Sequence, residues 1–328
     1  MIKFLENKVA VMLRVSSVAI TPIADESLGV RSMSLFVETP DTRILFDAGV
    51  SLGPHRYGLP PHPEEFRALN LHRERVAEFA EKAEIVTISH YHRDHFTPPY
   101  ASLYECTERD TFFEVYSGKT ILAKSQESNI NHSQKLRARA LVKALEESKA
   151  GARLVYLDNN SFKAGDTLIS GFLAMHGDER LGWVLCFKLY VAGEPILAFM
   201  PDVQGPVSDE ALQVLLGEGF RVAVIGGPPT YLTRESGDNR VKKGLENLSK
   251  ALRVNRVNVL SHHILRDPDW RGVLEEYAPG AEVKLYSEIA GFEFTPLEAY
   301  RNLLYETDPP PASYLESLRR KTLKCSDL

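Results

Sequence analysis

Short runs of aliphatic and β-branched residues recur along the chain, and each predicts a strand. They are VAVMLRV (9–15), SMSLFVE (32–38), RILFDAG (43–49), EIVTIS (84–89), KTILAK (119–124), RLVYLD (153–158), TLISGFLAMH (167–176), GWVLCFKLYV (182–191), EPILAFMPD (194–202), RVAVIGG (221–227) and RVNVLS (256–261). Three stretches repeat their apolar residues at helical spacing instead. In 63–83, Phe66, Leu69, Val76, Phe79 and Ala80 fall on or near one face. Segment 133–151 starts on Ser133 and stops at Gly151, and 239–252 is the third. Strands come in groups with helices between the groups, not after each strand. That order argues against a doubly wound parallel sheet and for two mixed sheets packed face to face with helices outside, an α/β (α+β) class. After Pro309-Pro310-Pro311 the chain reads as a short amphipathic helical tail, 309–328, so the expected division is one domain over 1–308 plus that tail.

Composition narrows the field. A 328-residue chain with 44% hydrophobic and 25% charged residues can bury a large core. Its net charge of −5 disfavours a dedicated nucleic-acid binder. The N-terminal residues mix Glu6, Lys8 and Arg14 among apolar ones, unlike a signal peptide, and no apolar run approaches the roughly 20 residues of a membrane span. Cys106, Cys186 and Cys325 form no CxxC pair and are odd in number, which predicts neither a disulfide nor a cysteine metal site and suggests the cytoplasm. The oligomeric state is not legible.

The chemistry concentrates at strand ends. Directly after EIVTIS comes His90-Tyr91-His92-Arg93-Asp94-His95. Side chains two apart at the end of a strand point the same way, so His90 and His92 can grip one ion, while Asp94 and His95 follow where the chain turns. Imidazole with carboxylate suits zinc, iron or manganese better than calcium. Three more apolar strands end on such residues: His176, Asp202, and the pair His262-His263.

This ordered set resembles the metallo-β-lactamase superfamily: the HxHxDH signature (His90, His92, Asp94, His95), an earlier strand-end Asp47, then His176, Asp202 and His262. The resemblance spans residues from about 9 to 263 and implies a four-layer αββα sandwich of two mixed β-sheets, here with an insertion over 96–150 that could wall or cap the site. It further implies that His90, His92 and His176 hold one divalent ion, that Asp94, His95 and one of His262 or His263 hold a second, and that Asp202 bridges them. His262 is preferred because Ser261-His262 follows its strand as Ser89-His90 follows the earlier one. Asp47 would order the turn beneath. Zinc is the first expectation, manganese or iron the alternatives.

The implied reaction is hydrolysis of an ester, phosphodiester or related bond of a small molecule, by a hydroxide held between two ions about 3.5–4 Å apart. Asp94 would orient the nucleophile or take its proton, and His263 would protonate the leaving group. A mononuclear iron oxidoreductase of the dioxygenase kind on the same fold, and a small-RNA or DNA phosphodiesterase, are the alternatives. Candidate substrate contacts are Arg93, Asn131, His132, Tyr231 and Arg266. His55, His62 and His72 read as surface or loop residues, and the glycines of VIGGPPTYL (224–232) as a turn or a close backbone approach.

Overall fold

Alternation along single strands shows how the layers are built. The computed structural model describes residues 11–148, 150–178, 180–232 and 239–325. In strand β3 (Met33–Glu38), Phe36 packs into one apolar cluster while Leu35 and Val37 point into another. In β11 (Glu194–Met200), Leu197 and Phe199 join that second cluster while Ala198 and Met200 turn to a third. Period-two side-chain direction thus separates three cores. The middle one lies between two sheets, with Phe46 against Phe199 at 5.1 Å and Phe187 at 5.7 Å. The outer two lie under helices: Phe66, Leu69 and Val76 on one side, Leu245, Leu248, Trp270 and Leu274 on the other. Each such buried side chain contributes about 1.5–3 kcal/mol. Three cores make four layers, the αββα arrangement of the metallo-β-lactamase sandwich.

One sheet runs β1 (Leu13–Val15), β2 (Val18–Asp25), β3, β4 (Arg43–Phe46), β5 (Ile85–Ile88), β6 (Thr120–Ala123) and β7 (Arg153–Tyr156) in chain order. Its first four strands pair antiparallel and β4 to β7 parallel. The other is ordered β13-β12-β11-β10-β9-β8. Its strands are β8 (Ser161–Ala164), β9 (Thr167–Met175), β10 (Trp183–Val191), β11, β12 (Val222–Gly226) and β13 (Val257–Ser261). Strands β11, β12 and β13 are parallel, and β9, reached through antiparallel β10, runs the same way. The C-terminal ends of β4 and β5 in one sheet and of β9, β11 and β13 in the other therefore open on one edge.

Some expectations need correction. The predicted strand over 9–15 keeps only Leu13–Val15 among the described residues; of the N-terminal charges that argued against a signal peptide, Glu6 and Lys8 lie outside them and Arg14 lies in β1. The sequence VAITPIAD forms β2, which the pattern did not predict because Pro22 argues against an interior strand. The ladder accommodates Pro22 with a register shift between Pro22 and Ala24. The segment 96–150 is not a mere insertion: it supplies β6 to the first sheet and helix Arg109–Tyr116, which packs on helix Pro63–Lys82, and through Glu105 and Arg137 it also walls the cleft as expected.

Cys106 and Cys325 form a disulfide, Cα to Cα 5.6 Å, against the expectation of none. An odd count leaves one thiol over, the buried Cys186, without preventing a pair. The two partners are 219 residues apart, so spacing carries no signal. They meet because the tail helix Ala312–Arg320 buries Tyr314 and Leu318 in the same cluster as Phe66. The cysteine argument for a reducing cytoplasm falls with this pairing. Among the described residues no helix is long and apolar enough to cross a membrane.

Candidate metal centre

Five strand ends deliver the polar cluster, and three of them do so in an unusual backbone state. Asp47 after β4, Asp202 after β11 and His262 after β13 have φ of 47°, 53° and 68°. Non-glycine residues seldom occupy the left-handed region, and those that do gather where function fixes a side chain. Glycines make the close approaches. A Cβ on Gly49 would lie 2.3 Å from the His95 nitrogen, and one on Gly226 would lie 2.7 Å from the Asp202 nitrogen. The loop after β4 can thus lie against the HxHxDH turn, and the end of β12 against β11.

The resulting geometry centres on Asp202. Its Oδ2 faces His176 Nε2 in direct contact, His90 Nε2 at 3.4 Å, His95 Nε2 at 3.8 Å and His92 Nδ1 at 3.9 Å. Its Oδ1 faces His263 Nε2 at 2.9 Å and His262 Nε2 at 3.5 Å. On the second side His262 Nε2 stands 3.4 Å from His95 Nε2 and 3.8 Å from Asp94 Oδ2. The sets His90, His92, His176, Asp202 and Asp94, His95, His262 each converge closely enough to hold one metal ion, as does the set Asp202, His262, His263. His262, not His263, is thus the histidine grouped with Asp94 and His95.

Two observations favour an ion over a web of hydrogen bonds. Imidazole nitrogens point at one another, His90 Nε2 to His92 Nδ1 at 3.0 Å for example. Asp202 Oδ1 is buried without a hydrogen bond. Its near neighbours are His263 Nε2 at 2.9 Å and His262 Nε2 at 3.5 Å, and a divalent cation would satisfy that oxygen together with the imidazole nitrogens around it.

The nitrogens turned away from the cluster are held differently. Asp47 accepts from His95 Nδ1 at 2.8 Å, from Ser89 N at 2.9 Å and from the Ser89 hydroxyl. Ser89 Oγ lies 3.0 Å from His90 Nδ1. Glu26 Oε1 lies 3.1 Å from His262 Nδ1 and accepts from Arg266 Nε and Nη2 at 2.8 and 2.5 Å. Burial disfavours charge on His262, but Glu26 and Asp202 outweigh it and hold the ring up at about 10. Burial, with Arg266 beside it, pushes His263 down to about 3. Burial also works against charge on Asp94, yet His95, His262 and Arg266 keep it well below the usual carboxylate range.

The remaining candidates divide. Arg93 lines the cleft above the cluster, a cavity of about 840 Å³. Tyr231 has its hydroxyl 3.5 Å from His263 Nδ1. Arg266 borders the cleft but is itself buried, and its guanidinium is spent on Glu26 and, at 2.9 Å, on His263 Nδ1. Asn131 caps the helix His132–Ser148, accepting from Gln134 N and donating to the Leu181 carbonyl, while His132 is exposed and absent from the cleft wall. Of the three histidines in and after the proline-rich stretch only His55 is exposed. His62 is buried as the N-cap of helix Pro63–Lys82, and His72 is buried between the Ile23 and Leu28 carbonyls. Both sit on a helix packed against the sheet, which a polar local sequence conceals. Glu26 was missed because nothing local marks it: its partners are 236 and 240 residues away.

No family model matches the chain. It is 43% identical over 306 residues to a UPF0282 protein of Pyrobaculum aerophilum, covering 90% of this chain and 98% of that one. It is 42% identical over 291 residues to one of Methanopyrus kandleri, covering 87% and 98%. Among solved structures it is similar to a possible metal-dependent hydrolase from Veillonella parvula, with a TM-score of 0.46, 12% identity, and coverage of 78% of this chain and 94% of the other.

Proposed function

This chain belongs to the UPF0282 family, and we propose that it is a hydrolase with a dinuclear metal centre, zinc first among the metals, acting on an ester, phosphodiester or related bond of a small molecule. The observation that supports this most is Asp202, whose Oδ2 faces His176 and His90 of the first set while its Oδ1 faces His262 of the second at 3.5 Å. In this reading His90, His92 and His176 would hold one ion, Asp94, His95 and His262 the other, and Asp202 would serve both. Such a pair lowers the pKa of bound water towards 7 and polarises the bond under attack. The protein's own groups do the rest. Asp94, the ligand whose carboxylate borders the open cleft beside Arg93, orients the attacking water and takes its proton. His263 is partly exposed in the cleft, and Arg266 Nη1 donates to its Nδ1, which leaves Nε2 to carry the proton. That nitrogen faces the cluster, and in a ring held neutral it can donate a hydrogen bond to a leaving-group oxygen as charge develops there. Carboxylates on His95 and His262 fix their tautomers.

The test is elemental analysis of protein purified without added metal or chelator, with bis(p-nitrophenyl) phosphate and p-nitrophenyl acetate assayed on the same sample. The expected result is about two zinc or manganese ions per chain and turnover that chelation abolishes. A single iron per chain with no hydrolysis would overturn the reading.

A further inference from the structure

We propose that Arg93 and Arg137 form an anion subsite in the wall of the cleft, and that the substrate carries a phosphoryl group which docks there while its scissile bond lies over the histidine cluster. This rests on reading that cluster as the active site, and it narrows the substrate to phosphate-bearing small molecules.

The argument begins with an imbalance. Six arginines line the cleft: Arg31, Arg93, Arg137, Arg180, Arg240 and Arg266. Four of them have carboxylate partners in good geometry. Arg31 grips Glu298 with two nitrogens, at 2.5 and 2.6 Å, and Arg266 grips Glu26. Arg180 and Arg240 share Asp178. The other two are different. Arg93 reaches Glu105 through a single contact of 3.5 Å and meets the Tyr100 side chain, its guanidinium 5.8 Å from that ring's centroid, while its Nε is buried without a partner. Arg137 donates one hydrogen bond, to the Tyr91 carbonyl at 3.1 Å, and no carboxylate of a described residue lies within salt-bridge reach of it. Each guanidinium offers five N–H groups, so most of theirs are uncommitted.

The two cations also disturb each other. Burial, and after it the charge of Arg93, lowers the Arg137 pKa. Holding two half-buried like charges together is unfavourable unless something negative sits between them. Glu105 does not fill that role, since its other oxygen is engaged by the Ser102 hydroxyl; Asp94, the other carboxylate acting on Arg137, belongs to the cluster, and the trio Arg93, Arg137 and Glu105 keeps a net positive charge. Planar forks from two arginines match the oxygens of a phosphoryl group. Arg93 also stands between His92 and Asp94 in the chain, which sets the subsite beside the cluster. The cleft volume is that of a small-molecule site, and the uncommitted arginines give a chain of net charge −5 a local cationic patch there.

Whether the phosphoryl group is a terminal monoester or an internal diester, the chemistry of recognition is the same, and two probes separate them. Inorganic phosphate binding is measured by calorimetry on metal-loaded and on chelator-treated wild type, Arg93→Gln, Arg137→Gln and Arg137→Lys, with metal content and thermal melting recorded for each. Expected is binding to wild type in both metal states, weakened at least about 10-fold by either Gln substitution and less by Lys, with metal content unchanged. Methyl phosphate and dimethyl phosphate then compete. Preference for the first marks a terminal phosphate, and equal competition marks a diester, both within the proposal. Phosphate binding that needs the metals and is the same in Arg137→Gln as in wild type would overturn the subsite while leaving the metal centre intact. Arg137-dependent binding to protein that never holds metal would keep the subsite and remove the hydrolase reading beneath it.

Discussion

The two halves of the cluster share Asp202 but are supported in different ways. Behind His95 and His262 stand the carboxylates of Asp47 and Glu26, and the second belongs to a buried ion pair with Arg266. Behind His90 stands only the Ser89 hydroxyl, His176 Nδ1 has no hydrogen-bond partner, and the His92 side chain is 27% exposed. A carboxylate on the far nitrogen makes imidazole a better donor and locks its orientation. The half built on Asp94, His95 and His262 should therefore hold its ion more tightly, and the half built on His90, His92 and His176 should exchange with solvent more readily.

The largest effect comes from breaking what the halves share. Asp202→Ala should cost both ions together and lower turnover on the order of 10³-fold, checked by elemental analysis alongside the phosphodiester assay. A variant that keeps one full equivalent would mean that the halves are independent and that Asp202 belongs to one of them.

Acid should next expose the buried scaffold behind the carboxylate-backed half. Burial opposes charge on Glu298, but Arg31 outweighs it and holds the carboxyl down at about 2. A depressed acid contributes stability that is complete above its unfolded pKa of about 4.3 and is lost as pH falls towards 2, here about 3 kcal/mol. Glu298→Gln should melt at lower temperature than wild type at neutral pH, with the gap closing between about pH 4.3 and 2. A gap independent of pH would show that the pair is packing rather than charge.

How much of this could be read beforehand follows the same division. His90, His92, His176, Asp202 and the His262-His263 pair are visible in sequence because each ends an apolar run, and strand ends are local. The layers follow too, since alternation in β3 or β11 states which side chain faces which core. What supports the site is not local. Glu26 lies in a single-turn helix after a proline-bearing strand and meets Arg266 only when the two sheets close. Arg137 sits on the exposed-looking face of a helix whose place in the first layer depends on β6 and β7 being neighbours. Cys106 and Cys325 pair for the same reason, through packing of the tail helix. Ligands repeat a pattern along the chain, whereas their supports are chosen by tertiary contact.

The smallest effect discriminates most finely. Glu26→Gln preserves shape but removes the charge that faces His262 Nδ1 and Arg266. It should weaken the ion on the Asp94, His95 and His262 side by about 10–100-fold and leave the other side nearly unchanged. Ser89→Ala should weaken the His90 side by only a few-fold, because a hydroxyl 3.0 Å from Nδ1 adds little basicity. Loading each protein with two equivalents of cobalt, then titrating a chelator while following the visible spectrum, separates the tight step from the weak one. In wild type the first equivalent should resist chelation and the second yield early. In Glu26→Gln the two steps should merge, since only the tight site has lost its advantage, and excess metal should restore turnover. If Ser89→Ala merges them instead, the hydroxyl relay from Asp47 through Ser89 to His90 is the stronger support, and the order of the two sites is the reverse of the one argued from their carboxylates.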